Sequence, residues 1–116
     1  MNWVALTGKE QWANLLRLSH EHPIAVFKHS TRCSVSLTVK RQLEHDWSGY
    51  EEAIYPVYLD LLNYRSVSDD IAASSGIKHE SPQLILFLKG VPVYAASHAS
   101  IDFSDFLARL KKESHL

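Results

Sequence analysis

Phe27-Lys28-His29-Ser30-Thr31-Arg32-Cys33-Ser34-Val35-Ser36 (FKHSTRCSVS) holds the only cysteine of the chain. Just before it, Ile24-Ala25-Val26-Phe27 is a continuous apolar run with β-branched and aromatic residues, the pattern of a strand buried on both faces. Just after it, Val35, Val39, Leu43 and Trp47 recur every four residues. That period predicts a helix from near Cys33 to about Trp47, with Gly49 as its stop. The cysteine therefore sits where a buried strand hands over to a helix.

The remaining elements follow by working outward. Trp3 to Leu6 reads as a short first strand. Thr7-Gly8-Lys9-Glu10 has capping-box spacing, with Thr7 as N-cap and Glu10 at N3, and Trp12, Leu15 and Leu16 then mark an amphipathic helix that ends by Pro23. Ile54 to Leu62 is a further buried strand, with Pro56 towards its start or at an edge. Ser66 or Ser68 can cap a helix through Ile71 and Ala72, with Gly76 as the C′ residue and Ile77 covering the helix end. Leu84–Leu88 and Val91–Ala95, separated by Lys89-Gly90, predict an antiparallel hairpin. Ser100 or Asp102 opens a last helix with Phe103, Phe106, Leu107 and Leu110 on one face and Lys111 and Lys112 at its C-terminal end.

The order is β-α-β-α-β-α-β-β-α. Parallel strands joined by helices at the start and a hairpin at the end require an α/β fold with a mixed central sheet and helices on both faces. This is the order of thioredoxin-like proteins, which these elements resemble. With 116 residues, the chain is expected to form one domain, residues 1–116.

Composition narrows the function. The net charge of −1 gives no basic surface for nucleic acid or anionic lipid. One cysteine rules out an internal disulfide framework and fits a reducing compartment. MNWVALTGKEQW lacks the basic start and apolar run of a signal peptide, and no stretch approaches the ~20 apolar residues of a membrane span. The expectation is a cytoplasmic protein with no nucleic-acid or membrane partner. The seven histidines lack paired ligand spacing, the glycines are isolated, and no serine-hydrolase elbow is present. His20, His22, His45 and His115 read as exposed helix residues.

A lone cysteine is more often a buried structural side chain. At a helix N-terminus, however, unpaired N–H groups and the positive end of the helix dipole favour the thiolate, the nucleophile of sulfur exchange. Lys28, His29 and Arg32 bring positive charge close in sequence. Cys33-Ser34-Val35-Ser36 is C-x-x-S. Ser36 occupies the place of a resolving thiol, where its hydroxyl can donate to the Cys33 thiolate but cannot form a disulfide. The chemistry is that of a monothiol, which needs an outside thiol to clear Cys33. Before the strand Leu84–Leu88, His79-Glu80-Ser81-Pro82-Gln83 matches the place of a cis-proline in thioredoxin-like folds. The Ser81 backbone beside it is then available to an extended substrate. His98 lies between the last strand and helix, where the resemblance to thioredoxin-like proteins implies a site for the polar end of a small thiol; an ordinary solvated loop residue is the equal alternative.

FKHSTRCSVS, DLLNYRSVS (Asp60–Ser68), IKHESPQ (Ile77–Gln83) and SHASI (Ser97–Ile101) together resemble the YtxJ family, the monothiol bacilliredoxins, over nearly the whole chain. The resemblance implies a thioredoxin-like cytoplasmic stress protein. Its implied role is removal of bacillithiol from S-bacillithiolated client proteins, with Cys33 as nucleophile and Pro82 as the cis-proline. It implies no metal or organic cofactor, bacillithiol serving as co-substrate. The family commonly has proline after the cysteine, as T-R-C-P-I-S; Ser34 replaces it, adding an N–H and loosening the helix start. Catalysis is expected from Cys33 and Ser36, and substrate binding from Arg32, Ser81, Pro82 and His98. A monothiol glutaredoxin-like protein using glutathione and a non-catalytic redox-sensing module of the stress response remain open alternatives.

Overall fold

The structure is a computed structural model and describes residues 1–114; His115 lies outside the described residues. Its elements are β1 (Val4–Ala5), α1 (Lys9–Leu18), β2 (Ile24–His29), α2 (Ser34–Asp46), β3 (Tyr55–Asp60), α3 (Arg65–Ser75), β4 (Gln83–Leu88), β5 (Val91–Ser97), a 3₁₀ turn (His98–Ser100) and α4 (Phe103–Ser114). One five-stranded sheet runs in the order β1-β3-β2-β4-β5. β1, β3 and β2 are parallel; β4 and β5 are antiparallel to their neighbours.

Alternation along the strands divides the apolar side chains between two cores. Ile24, Val26, Val57, Leu59, Ile85 and Phe87 face one way, onto Trp12 and Leu15 of α1 and Val67 and Ile71 of α3. Ala25, Phe27, Leu84 and Leu86 face the other way, onto Leu43 of α2, Trp47, and Phe103, Phe106 and Leu110 of α4. Every residue of β2 and β4 is buried, as continuous apolar runs require. The mixed sheet with helices on both faces is therefore present as expected.

Local signals were displaced in three places. At α1 the N-cap is Gly8, not Thr7, with no side-chain capping bond; Gln11 reaches back to accept the Thr7 N–H (2.9 Å), so the box expected of Thr7 and Glu10 does not form. At α3 the N-cap is Tyr64, and Ser68 lies inside the helix, fully buried. β2 continues past Phe27 through Lys28 and His29, two polar residues that are as buried as the apolar ones. His20 and His22 lie in the turn after α1 rather than in it. Pro56 is the second residue of an interior strand. It is tolerated because β1 pairs only Val57 and Tyr58, leaving that flank of Pro56 with no strand to bond.

The hairpin turn is built by Lys89 and Gly90, both at positive φ (53° and 80°), the twist that matches antiparallel strands. Gly76 ends α3 in the left-handed conformation, φ 75°. At the start of α4, the Asp102 carboxylate accepts the N–H groups of Ser104 (2.8 Å) and Asp105 (3.3 Å).

Candidate active site

β2 lies between β3 and β4 and delivers the chain to the carboxyl end of the sheet, where Ser30–Arg32 turn into α2. Cys33 is the N-cap of α2, with extended backbone (φ −103°, ψ 118°) and a half-buried side chain that makes no capping hydrogen bond. Its N–H bonds the Ser30 carbonyl (3.1 Å), and its own carbonyl accepts Leu37 N–H (3.1 Å), which fixes the residue at both ends. The sulfur thus stands at the helix end where N–H groups lack intrahelical acceptors.

The Ser36 hydroxyl does not go where C-x-x-S spacing points. Ser36 is fully buried, and its Oγ lies 2.6 Å from His29 Nδ1 and accepts the Ser30 N–H at 3.3 Å. Strand alternation explains the pairing: His29 follows Phe27 by two residues and so projects onto the face that α2 covers. The rings of Phe27 (5.7 Å) and Tyr58 (5.5 Å) pack against it. Burial, reinforced by Lys40, holds the His29 pKa below the ordinary histidine value.

Lys28 projects to the opposite face. It is sealed from solvent, and its Nζ contacts the Ser68 carbonyl at 3.4 Å. Burial lowers its pKa to about 8, against the opposing pull of Asp69. Ser68 Oγ in turn shares a 2.9 Å hydrogen bond with Nδ1 of His79, whose pKa burial also lowers. Of the three residues that bring positive charge close to Cys33 in sequence, only Arg32 is exposed. Lys28 and His29 are interior side chains.

The second segment of the site is the head of β4. The Ser81–Pro82 peptide bond is cis. Gln83 pairs with Lys28 on one side and Ser97 on the other, so this segment lies at the same end of the sheet as the β2–α2 junction. The Ser81 hydroxyl is buried with no hydrogen-bond partner among the described residues. The Pro82 carbonyl accepts the backbone N–H of His98 (2.9 Å), which ties the 3₁₀ turn to the proline. His98 is exposed, holds a left-handed conformation (φ 53°), and lies 3.9 Å from the Glu80 carboxylate. It also borders a groove of about 460 Å³ between α2 and the start of α4, which Thr38, Gln42, Asp46 and Asp102 help to line.

The sequence model of the monothiol bacilliredoxin BrxC family matches residues 4–106. The chain belongs to this family. A solved structure described as having a thioredoxin fold shares 28% identity with it, covers 92% of each chain and superposes with a TM-score of 0.80. Thioredoxin from Trypanosoma brucei brucei superposes with a TM-score of 0.71 at 15% identity, covering 97% of this chain and 89% of its own. Fasciola hepatica thioredoxin gives 0.71 at 11% identity, covering 93% and 96%. These likenesses at low identity establish the thioredoxin fold. As a bacilliredoxin-family protein of thioredoxin fold, the chain has a thiol–disulfide redox function, with a thiol-modified protein and a low-molecular-weight thiol as its classes of partner. With a single cysteine it is a monothiol member. Among the described residues, no helix is long and apolar enough to cross a membrane.

The His29–Ser36 pair was not apparent from the sequence. A strand residue and a helix residue seven positions apart share no periodicity, and only the alternation from Phe27 to His29 hints that they face each other.

Proposed function

We propose that this bacilliredoxin removes bacillithiol from S-bacillithiolated client proteins in the cytoplasm, taking the bacillithiol onto Cys33. The observation that carries the reading is the placement of the chain's only thiol at the N-cap of α2, with no second thiol one turn on. The Cys33 thiolate attacks the bacillithiol sulfur of the mixed disulfide. The client sulfur leaves as a thiolate and takes up a proton. Cys33 is then joined to bacillithiol, and a second bacillithiol thiolate attacks that bacillithiol sulfur, giving oxidised bacillithiol and free Cys33.

The exchange needs neither a metal nor an organic cofactor. The unpaired Ser81 hydroxyl and the adjacent backbone receive the extended part of the substrate, while His98 and Arg32 hold the polar end of the small thiol. Intact mass after separate incubation with oxidised bacillithiol and oxidised glutathione tests the reading. A bacillithiol adduct on Cys33 that exceeds the glutathione adduct is expected. A preference for glutathione would make the protein glutaredoxin-like, and no adduct from either would leave a non-catalytic module.

A further inference from the structure

The buried His29–Ser36 pair has no part in the exchange chemistry just described. Counting donors and acceptors assigns its proton. The Ser30 N–H can only donate to Ser36 Oγ. The hydroxyls of Thr38 and Ser114 give their protons to carbonyls four residues back, on Ser34 and Leu110. Among the described residues, Ser36 makes no such bond and none to Cys33. A buried hydroxyl proton requires an acceptor, and the group left to take it is Nδ1 of His29, 2.6 Å away. His29 then carries its own proton on Nε2.

We propose that His29 sets the reactivity of Cys33 by holding the Ser36 proton away from the sulfur. Neutral His29 accepts that proton; protonated His29 donates to Ser36 and releases it. Cys33 and Ser36 are N-cap and N3 of α2, three residues apart on its first turn, a spacing that puts side chains on the same side of a helix, so a released hydroxyl can turn towards the sulfur. His29 is a positioning residue, since it acts on the sulfur only through Ser36. The charged and titratable groups around it are Lys40 and Glu44 from α2 and Tyr58 and Asp60 from β3. Burial outweighs the two carboxylates, so His29 is neutral at neutral pH and the proton is withheld. Acidification through the His29 titration reverses the bond and adds a positive charge, and both changes favour the thiolate.

The inference rests on Cys33 being the reactive thiol, not on which small thiol it carries. The test is the rate of Cys33 alkylation by iodoacetamide, measured on the full chain at fixed neutral pH. His29→Leu frees the Ser36 proton for the sulfur and is expected to speed alkylation about threefold. That figure is a tenfold gain in thiolate for one pKa unit, partly offset by lower nucleophilicity. The acceleration should vanish when the same change is made in a Ser36→Ala background. Slower or unchanged alkylation, or equal acceleration in both backgrounds, overturns the proposal. Should His29→Leu not fold, ¹⁵N NMR of the unsubstituted protein decides: an Nε2–H tautomer of His29 supports it, and an Nδ1–H tautomer overturns it. If Cys33 alkylates as described yet takes up no bacillithiol, the proposed function fails and this inference stands.

Discussion

His98 donates its backbone N–H to the carbonyl oxygen of Pro82 at 2.9 Å, while its own φ of 53° lies in the left-handed region. That bond joins the turn leading to α4 with the head of β4, and it places an exposed imidazole beside the proline segment. A left-handed conformation costs a residue with a Cβ roughly 1–2 kcal/mol, whereas glycine adopts it freely. Backbone and side chain can therefore be separated at this position.

His98→Gly should preserve the Pro82 hydrogen bond and keep the thermal midpoint within a few degrees of the parent or above it. Removal of bacillithiol from a client should slow about three- to tenfold, the loss of one solvent-exposed polar contact of about 1 kcal/mol. Steady-state transfer and a thermal melt on the same preparation check both halves. Unchanged transfer would show that the imidazole does not contact the small thiol.

The buried Lys28 makes stability depend on pH in a definite direction. Its folded pKa of about 8 lies below the ordinary 10.5, so the unfolded chain binds the extra proton between those values. Stability should therefore rise as pH increases from about 8 towards 10.5, because the penalty for burying the ammonium disappears. Lys28→Met should raise the denaturation midpoint at pH 7 and remove the rise contributed by this group. Urea melts at pH 7 and pH 10 on both proteins measure it. The same pH slope in both would show that Lys28 is not its source.

With one thiol, the chain cannot expel a captured group by closing its own disulfide. Reaction with a bacillithiolated client should stop at one equivalent, with one bacillithiol retained on Cys33, and should resume when free bacillithiol is added. Cys33→Ser should transfer nothing. Quenched samples weighed by intact mass provide the count; several turnovers without added thiol would contradict the mechanism.

Ser19 supplies a control remote from the site. Its Oγ accepts the Gly90 N–H (2.8 Å) and its carbonyl accepts the Lys89 N–H (2.8 Å), so the end of α1 holds the β4–β5 turn. Ser19→Ala leaves the Gly90 N–H without that acceptor and should cost about 1–2 kcal/mol in a urea melt. The rate of Cys33 alkylation should not change.

The elements most legible in the sequence were those whose apolar residues repeat. Val39, Leu43 and Trp47 placed α2, and the unbroken runs Ile24–Phe27 and Leu84–Leu88 placed the two central strands. The strand-to-helix junction at Cys33 was likewise readable from a short local segment, whereas the cis bond at Pro82 was expected from the resemblance to thioredoxin-like folds. What escaped the sequence depends on contacts between distant segments. Lys28 and His29 have the composition of a loop, yet they extend β2 because Ser68 and Ser36 supply polar partners inside the fold. Several hydroxyls lay close enough in sequence to cap a helix, and which of them served was decided by packing. Thr7 yielded to Gly8, and Ser68 was drawn inward to His79.

The strand that leads to Cys33, β2, is hydrogen-bonded on both sides, to β3 along six residues and to β4 along five. Such a strand has no free edge along which to slide, and shifting it would disturb both cores at once. The thiol therefore stands four residues beyond a strand that the sheet holds on both sides. Whatever compliance the exchange demands must be supplied by the incoming disulfide and by the short segments around the rim of the sheet. A modified cysteine on a flexible or protruding stretch of a client should therefore react faster than one held flat on a folded surface, so that steric reach counts beside chemical reactivity.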